Sequence, residues 1–322
     1  MIALSRPLLA RLALARPNAR SSHRVPVPQG AGLAMLAAGL FVVLIAYGAR
    51  PDRMVGCLTL AALGLAALGL SDDIRPLRWR LKLLLQALCC VVAVAGLPAS
   101  LHLLPVEALF WPERLAMVFA LLAMVNIVNF IDGIDEITAA HSAPVFAALA
   151  LAGPLALAGA ATSLTAAVGF GAVAGFWLWN RHPAHIFLGD AGSLPLGLVI
   201  GWLALRASAE GALVAGPLLV LYPLTDAAVT LVRRHRRGAA LAEPHRDHAY
   251  QHAVDSGVPV RRVAATVALV SSATALLALV SLAMPHPVVQ AGCLIVGFCW
   301  VVPPIVGWLR RKPVVPPAGT AP

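Results

Sequence analysis

The stretch RLAMVFALLAMVNIVNFIDGID, residues 114–135, decides the fold. From Leu115 to Val125 it carries no polar side chain, and the run to Ile131 approaches the ~20 residues needed to cross the hydrocarbon core of a bilayer. It then closes on Asn126, Asn129, Asp132 and Asp135, spaced by three, which share one stripe if the helix persists past Gly133. Such groups are costly in lipid and must face a wet or protein-lined cavity. Hydrogen bonding between helices would explain the asparagines alone, and the two carboxylates weigh against that plainer reading.

Similar apolar runs occupy about 31–49, 54–70, 81–97, 143–161, 163–179, 194–205, 212–232, 263–284 and 288–309. Ten spans would use about 200 positions, close to the apolar 60% of the 322-residue chain. Charged residues make up only 12% and the mean hydropathy is +0.85, so the chain cannot cover itself with a polar surface. These values exclude a soluble enzyme, a disordered chain and a disulfide scaffold. The expected fold is one all-α polytopic integral membrane domain over residues 1–322, with about ten transmembrane helices. Cys57, Cys89, Cys90, Cys293 and Cys299 all lie in apolar runs and read as small packing residues.

The formal charge of +10 would suit nucleic acid in a soluble protein; here basic residues report topology, and no nucleic-acid partner is expected. With a cytoplasmic N-terminus, only Arg50, Arg53, Arg114 and Arg206 of the 24 lysines and arginines fall outside. Residues 1–30 then form a basic, proline-broken cytoplasmic segment, whose short apolar stretch also admits a signal-peptide reading. Residues 233–262 form a cytoplasmic loop rich in His and Arg.

This orientation places Asp72 and Asp73, Asp132 and Asp135, Asp190 and Asp247 on the cytoplasmic side, against Asp52, Glu107, Glu113 and Glu210 outside. Adjacent Asp72 and Asp73 repel unless a cation or proton intervenes; alternatively they are a solvated helix end near Arg75 and Arg78. Glycines flank Asp190 just before a helix, leaving backbone N–H groups free for an anion, although Ser193 reads equally as an N-cap. On a helix His245, His248 and His252 would share a face suited to zinc, yet no Glu stands between closely spaced histidines as a metalloprotease requires. The basic run Arg233–Arg237 suits a membrane surface or, beside metal-ready acids, a phosphorylated substrate. Asp226, two turns before Arg233, reads as a partner for the arginines that follow it.

Together these segments resemble the polyprenyl-phosphate N-acetylhexosamine-1-phosphate transferases, the family that includes phospho-MurNAc-pentapeptide translocase and the enzyme that starts enterobacterial common antigen. The resemblance rests on PNARSSH (17–23), SDD (71–73), Asn126 to Asp135, FLGDAGS (187–193) and PHRDHAYQ (244–251), in family order. The first and last look most like the O-antigen-initiating branch. The resemblance implies transfer of an N-acetylhexosamine 1-phosphate from a UDP-sugar to undecaprenyl phosphate, with release of UMP, at the cytoplasmic face of a bacterial inner membrane. It implies Mg2+, or Mn2+, held by Asp190. Catalytic roles fall to Asp72, Asp73, His245 and His248, with Asp72 and Asp73 at the lipid-phosphate and metal end. Substrate binding falls to Asn126, Asn129, Asp132, Asp135, Asn180, Phe187 and Arg246; Asn180 and Phe187 stand where the family contacts the uridine nucleotide. A homodimer is common in the family.

The family usually has a helix before the N-terminal loop, which this sequence does not show, so either its start is truncated or the fold makes do with ten spans; Glu136 stands where the family commonly has Gly, and Ala31 interrupts a usual Gly pair. The competing readings are a transporter or flippase, which would place ionisable groups at mid-membrane among internal repeats, and an inactive scaffold in glycan assembly.

Overall fold

The computed structural model describes residues 2–3, 14–15, 26–48, 52–104, 106–240 and 245–312. The 17–23 motif, Glu243 and Pro244 lie outside the described residues. The helices are α1 (Ala31–Tyr47), α2 (Arg53–Ile74), α3 (Trp79–Ala95), α4 (Phe110–Ile131), α5 (Ile137–Ala152) and α6 (Ala160–Asn180). They continue as α7 (Asp190–Ala209), α8 (Ala215–Leu219), α9 (Leu221–Arg236), α10 (Ala249–Asp255), α11 (Val260–Ala283) and α12 (Pro287–Leu309). Two-residue strands at Leu14–Ala15 and Val27–Pro28 pair antiparallel ahead of α1.

Among the described residues six helices, α2, α4, α6, α7, α11 and α12, are long and apolar enough to cross a membrane, and α1 and α5 are apolar but shorter. Large apolar side chains such as Leu60, Phe119, Leu276 and Ile295 stay exposed. In water that surface would be an aggregation liability; against lipid it is the expected exterior. The chain is a multi-pass membrane protein.

Helix α7 sits at the centre, buried on nearly every face, with Ser193, Leu198, Trp202 and Leu203 fully enclosed. It packs on α2 and α4, and also on α1. Lipid gives little hydrophobic drive for helices to associate, so close backbone approach and van der Waals contact must do so. The glycines supply that approach: a Cβ at Gly32 would lie 2.0 Å from the Gly192 Cα, and one at Gly69 would lie 2.3 Å from the Asp190 carbonyl carbon. The second contact fixes the end of α2 against the start of α7, and thereby Asp72 and Asp73 beside Asp190.

Three expected spans have different limits. The 143–161 run is helical only to Ala152, because Pro154 and a turn through Ala156, whose φ is 58°, interrupt it. The 194–205 run extends back to Asp190. The 212–232 run divides into α8 and α9 at Val220, since Pro223 has no N–H to give the Leu219 carbonyl one turn earlier. All five thiols are free; Cys90 and Cys293 are buried as the packing role requires, Cys57 and Cys89 are half-buried, and Cys299 is exposed against that expectation.

Candidate active site

Helix α2 ends on two carboxylates that diverge. Asp72 accepts Leu77 N–H at 2.7 Å through Oδ1 and the Lys82 ammonium at 2.8 Å through Oδ2. Asp73 turns to the start of α7, where Asp190 N–H and Ala191 N–H each donate to it at 3.2 Å. A carboxylate at a helix N-terminus satisfies orphan donors and favours the positive end of the helix dipole. The expected repulsion is therefore relieved by two separate partners, one of them Lys82 in the first turn of α3.

Lys82 Nζ also bonds Asp190 Oδ2, so one ammonium bridges two carboxylates remote in sequence. The other oxygen, Asp190 Oδ1, accepts Asn129 Nδ2 at 2.8 Å, and the same amide donates to Ser193 Oγ at 2.8 Å. Ser193 is thus an internal acceptor in the first turn of α7, whose N-cap is Gly189 with φ 71°. Helices α2, α3, α4 and α7 each contribute a side chain to this cluster.

The polar stripe of α4 breaks into parts with different partners. Asn126 donates to Gln86 Oε1 at 2.9 Å, the interhelical role. The helix stops at Ile131, so Asp135 is not on the stripe as the spacing would allow. Gly133 lies beneath the Tyr250 hydroxyl, where a Cβ would come within 2.2 Å. Asp132 accepts the Thr138 hydroxyl. Burial, with Asp190 and Asp73 nearby, pushes its carboxyl up to about 7, against that hydrogen bond. Asp135 instead takes Ala184 N–H at 3.0 Å and meets His182 Nδ1 at 2.7 Å.

Glu136, at φ 67°, occupies a backbone conformation that favours glycine. Its N–H donates to Asn180 Oδ1 at 2.8 Å, and its carboxylate accepts His182 N–H at 2.9 Å. Asn180 is buried and gives its own amide to Ile186 O at 3.0 Å. Phe187 donates its N–H to Pro28 O at 2.8 Å and accepts Gly30 N–H and Ala31 N–H at 3.1 Å. Asn180 and Phe187 hold the 181–189 segment by these bonds.

The histidine loop rests on the end of α4. The His245 and His248 rings stack at 5.2 Å, and Phe130 stands 6.4 Å from each. Tyr250 donates its hydroxyl to Phe130 O at 2.9 Å. Helix α10 begins only at Ala249, so His245, His248 and His252 do not share the helical face expected of them, and His252 meets Ser256 at 3.3 Å. Burial, with Arg234 and His248 nearby, pushes His245 down to about 4. Arg246 pairs with Asp255 at 2.9 Å. Asp226 is not tied to the following arginines as expected: it accepts Ala249 N–H at 2.8 Å, while Arg234 bonds Asp247.

Among the described residues no group of three or more His, Cys, Asp or Glu side chains is arranged to hold a metal ion. The three histidines of the expected zinc site are not gathered, since His252 turns to Ser256 while His245 and His248 stack; the cluster around Asp190 is a different set. It fits Mg2+, which binds one or two carboxylates and takes its other ligands from water and phosphate. The observation behind the fit is the ammonium of Lys82 seated between Asp72 and Asp190, a place already built for positive charge. Lys82 and Gln86 were not singled out from the sequence. A signal existed, because Lys82 is one of only two lysines in a chain that otherwise uses arginine.

Fold and site define a class: a multi-pass helical membrane protein with a carboxylate, amide and lysine cluster where four helices end. Residues 55–208 match the profile of glycosyl transferase family 4, and the chain belongs to that family. Asp72, Asp73, Lys82, Asn129, Asp132 and Asp190 lie inside the match, and the histidine loop lies beyond it. The chain is 27% identical over 272 residues to a probable undecaprenyl-phosphate N-acetylglucosaminyl 1-phosphate transferase of Bacillus subtilis (strain 168), covering 79% of this chain and 75% of that protein. It is 36% identical over 214 residues to a phospho-N-acetylmuramoyl-pentapeptide-transferase of Synechococcus sp. (strain JA-3-3Ab), covering 59% of each. Over 282 residues it is 27% identical to an undecaprenyl-phosphate alpha-N-acetylglucosaminyl 1-phosphate transferase of Yersinia pestis, covering 82% of this chain and 75% of that protein.

Proposed function

We propose that this protein transfers an N-acetylhexosamine 1-phosphate from a UDP-sugar to undecaprenyl phosphate, releasing UMP and starting a lipid-linked surface glycan such as O-antigen. The observation that carries the proposal is the meeting of Asp72, Asp73 and Asp190 around Lys82 and the α7 N-terminus. The family relationship supports sugar-phosphate transfer to a lipid phosphate.

We place ten membrane crossings at α1 to α7, the α8–α9 pair, α11 and α12, with the acids at the cytoplasmic helix ends. The one-sided distribution of arginine supports this orientation. A site at the cytoplasmic rim leaves the polyprenyl chain in lipid while the nucleotide stays in water.

The chemistry joins two anions. A lipid phosphate oxygen attacks the phosphorus that bears the sugar, the bond from that phosphorus to the bridging oxygen breaks, and UMP leaves with that oxygen. The acceptor phosphate, with a second pKa near roughly 6, is largely dianionic at neutral pH and needs no base. The residues must therefore offset charge and hold an in-line geometry. Lys82 supplies a cation between the acids, and Asn129 holds Asp190 in place. The stacked His245 and His248 border this end of α4, where Arg246 adds charge toward a diphosphate. Asp132 and Asp135 shape the donor side, and Asn180 and Phe187 order its wall. Asp190 would hold Mg2+, which would supply neutralisation of diphosphate charge when bound.

Purified protein assayed with undecaprenyl phosphate and a panel of UDP-N-acetylhexosamines, with UMP release measured and product lipid weighed by mass spectrometry, tests this. A lipid diphosphate-sugar formed only with Mg2+ or Mn2+ is the expected result. A folded preparation inactive with every donor would overturn the proposal.

A further inference from the structure

We propose that Asp226 is a positioning residue for the histidine loop, fixing the tautomer and orientation of His248 and, through the ring stack, the placement of His245. The inference rests on the transferase function proposed above. Asp226 lies on α9 and is completely buried. Its Oδ1 accepts Ala249 N–H at 2.8 Å and faces the Thr230 hydroxyl at 3.4 Å. Its Oδ2 has no hydrogen-bond donor among the described residues and stands 3.6 Å from His248 Nδ1.

A buried carboxylate oxygen left without a donor is costly, and the polar atom it faces is a ring nitrogen in the same condition. His248 is 3% exposed, and neither of its nitrogens has a hydrogen-bond partner among the described residues. The donor that Asp226 lacks and the acceptor that His248 lacks are thus the same pair, a few tenths of an ångström beyond hydrogen-bond length. A proton on Nδ1 satisfies both atoms and leaves Nε2 as the acceptor, because the bond made by one imidazole nitrogen sets the state of the other.

The consequence reaches the site through packed rings. His248 lies between His245, at 5.2 Å, and Tyr250, at 5.7 Å, and both histidines border Phe130. Phe130 follows Asn129, whose amide holds Asp190. The same Asp226 carboxylate also anchors the first N–H of α10, so one buried group fixes both the loop backbone and the ring. Arg234, one turn beyond Thr230, is directed to Asp247 and Ala240 O instead.

The test uses the full-length protein with 15N-labelled histidine, the His248 resonances being assigned by their loss in His248→Gln. Wild type is expected to show Nδ1–H and an unprotonated Nε2. Asp226→Asn preserves size and keeps an oxygen for Ala249 N–H, but presents an amide donor to Nδ1; the tautomer is expected to reverse. kcat for sugar-phosphate transfer should fall about 10- to 100-fold, as for other carboxylates that orient a working histidine, with KM for the UDP-sugar little changed. Nε2–H in wild type overturns the proposal without any variant being needed, and so does an Asp226→Asn protein with an unaltered tautomer or full kcat. Wild type inactive with every UDP-N-acetylhexosamine would overturn the transferase function, and the 15N spectra would still decide the Asp226–His248 pairing.

Discussion

Replacing Lys82 by Met removes one ammonium from between two carboxylates and keeps the side-chain length. In the folded protein Lys82 contacts Asp72 at 2.8 Å and bonds Asp190, with side-chain exposures of 20%, 18% and 24% for the three groups. Two unit charges about 4 Å apart attract by about 4 kcal/mol at an effective dielectric near 20. Desolvation of the three groups offsets much of that. Counting each contact as a charge-assisted hydrogen bond of about 1.5–3 kcal/mol gives a gross loss of about 3–6 kcal/mol. Water entering this partly open site recovers part of it, and about 3 kcal/mol remains. At roughly 2–4 °C per kcal/mol the melting temperature should drop by about 6–12 °C. Tryptophan-fluorescence melting in detergent reads this directly. Added Mg2+ should restore more stability to the variant than to wild type, because it meets two carboxylates with no competing ammonium. A Lys82→Met protein that melts within about 1 °C of wild type, with no larger response to Mg2+, would refute the bridged-carboxylate geometry.

Other consequences follow from neighbouring contacts. Gly69→Ala places a methyl group 2.3 Å from the Asp190 carbonyl carbon, so α2 must move off α7; stability should fall by about 1–3 kcal/mol, and turnover with it, in paired melting and UMP-release assays. Asn180→Ala leaves the Glu136 N–H and Ile186 carbonyl without their partner; a loss of about 2–4 kcal/mol and faster tryptic cleavage at Arg181 are expected. His245 titrates near 4 when folded, below its ordinary 6.5, so between those values the unfolded chain binds the extra proton. Its contribution is complete above pH 6.5 and is lost as pH falls toward 4. Melting temperatures across that range should decline less steeply in His245→Gln.

The parts of this architecture that follow periodicity were legible in the sequence, and those that depend on long-range contact were not. The apolar runs locate the helices because lipid imposes a length and a composition on each one. The acids stood out because charge at a helix end in such a chain is expensive. Nothing local reveals that Asp73 caps α7 while its neighbour Asp72 reaches α3, since that divergence depends on how tightly Gly69 lets two helices approach. The α4 stripe misled for a related reason. Its period of three is real up to Asn129, but the helix ends at Ile131 and hands Asp135 to the 181–189 segment. Asn126 then serves Gln86, a residue unremarkable in its own helix. Asp226 was legible as a buried acid near arginines, yet its partner is an N–H and an imidazole two dozen residues on. The histidines failed as a helical face because α10 starts after His248, and stacking of rings, not helical spacing, brings His245 and His248 together.

The most direct test of the central claim is UMP release by purified, folded Asp190→Asn in the presence of undecaprenyl phosphate and the UDP-sugar that wild type accepts. Asn keeps the shape of the side chain and one acceptor, for Asn129 or for Lys82, while removing the charge, so the protein should fold with its stability lowered by the one lost bond, about 1.5–3 kcal/mol. Turnover should fall by at least about 100-fold, the scale set by removing one electrostatic contact to a reacting group. Wild-type turnover in a folded variant would contradict the claim that these carboxylates form the working centre.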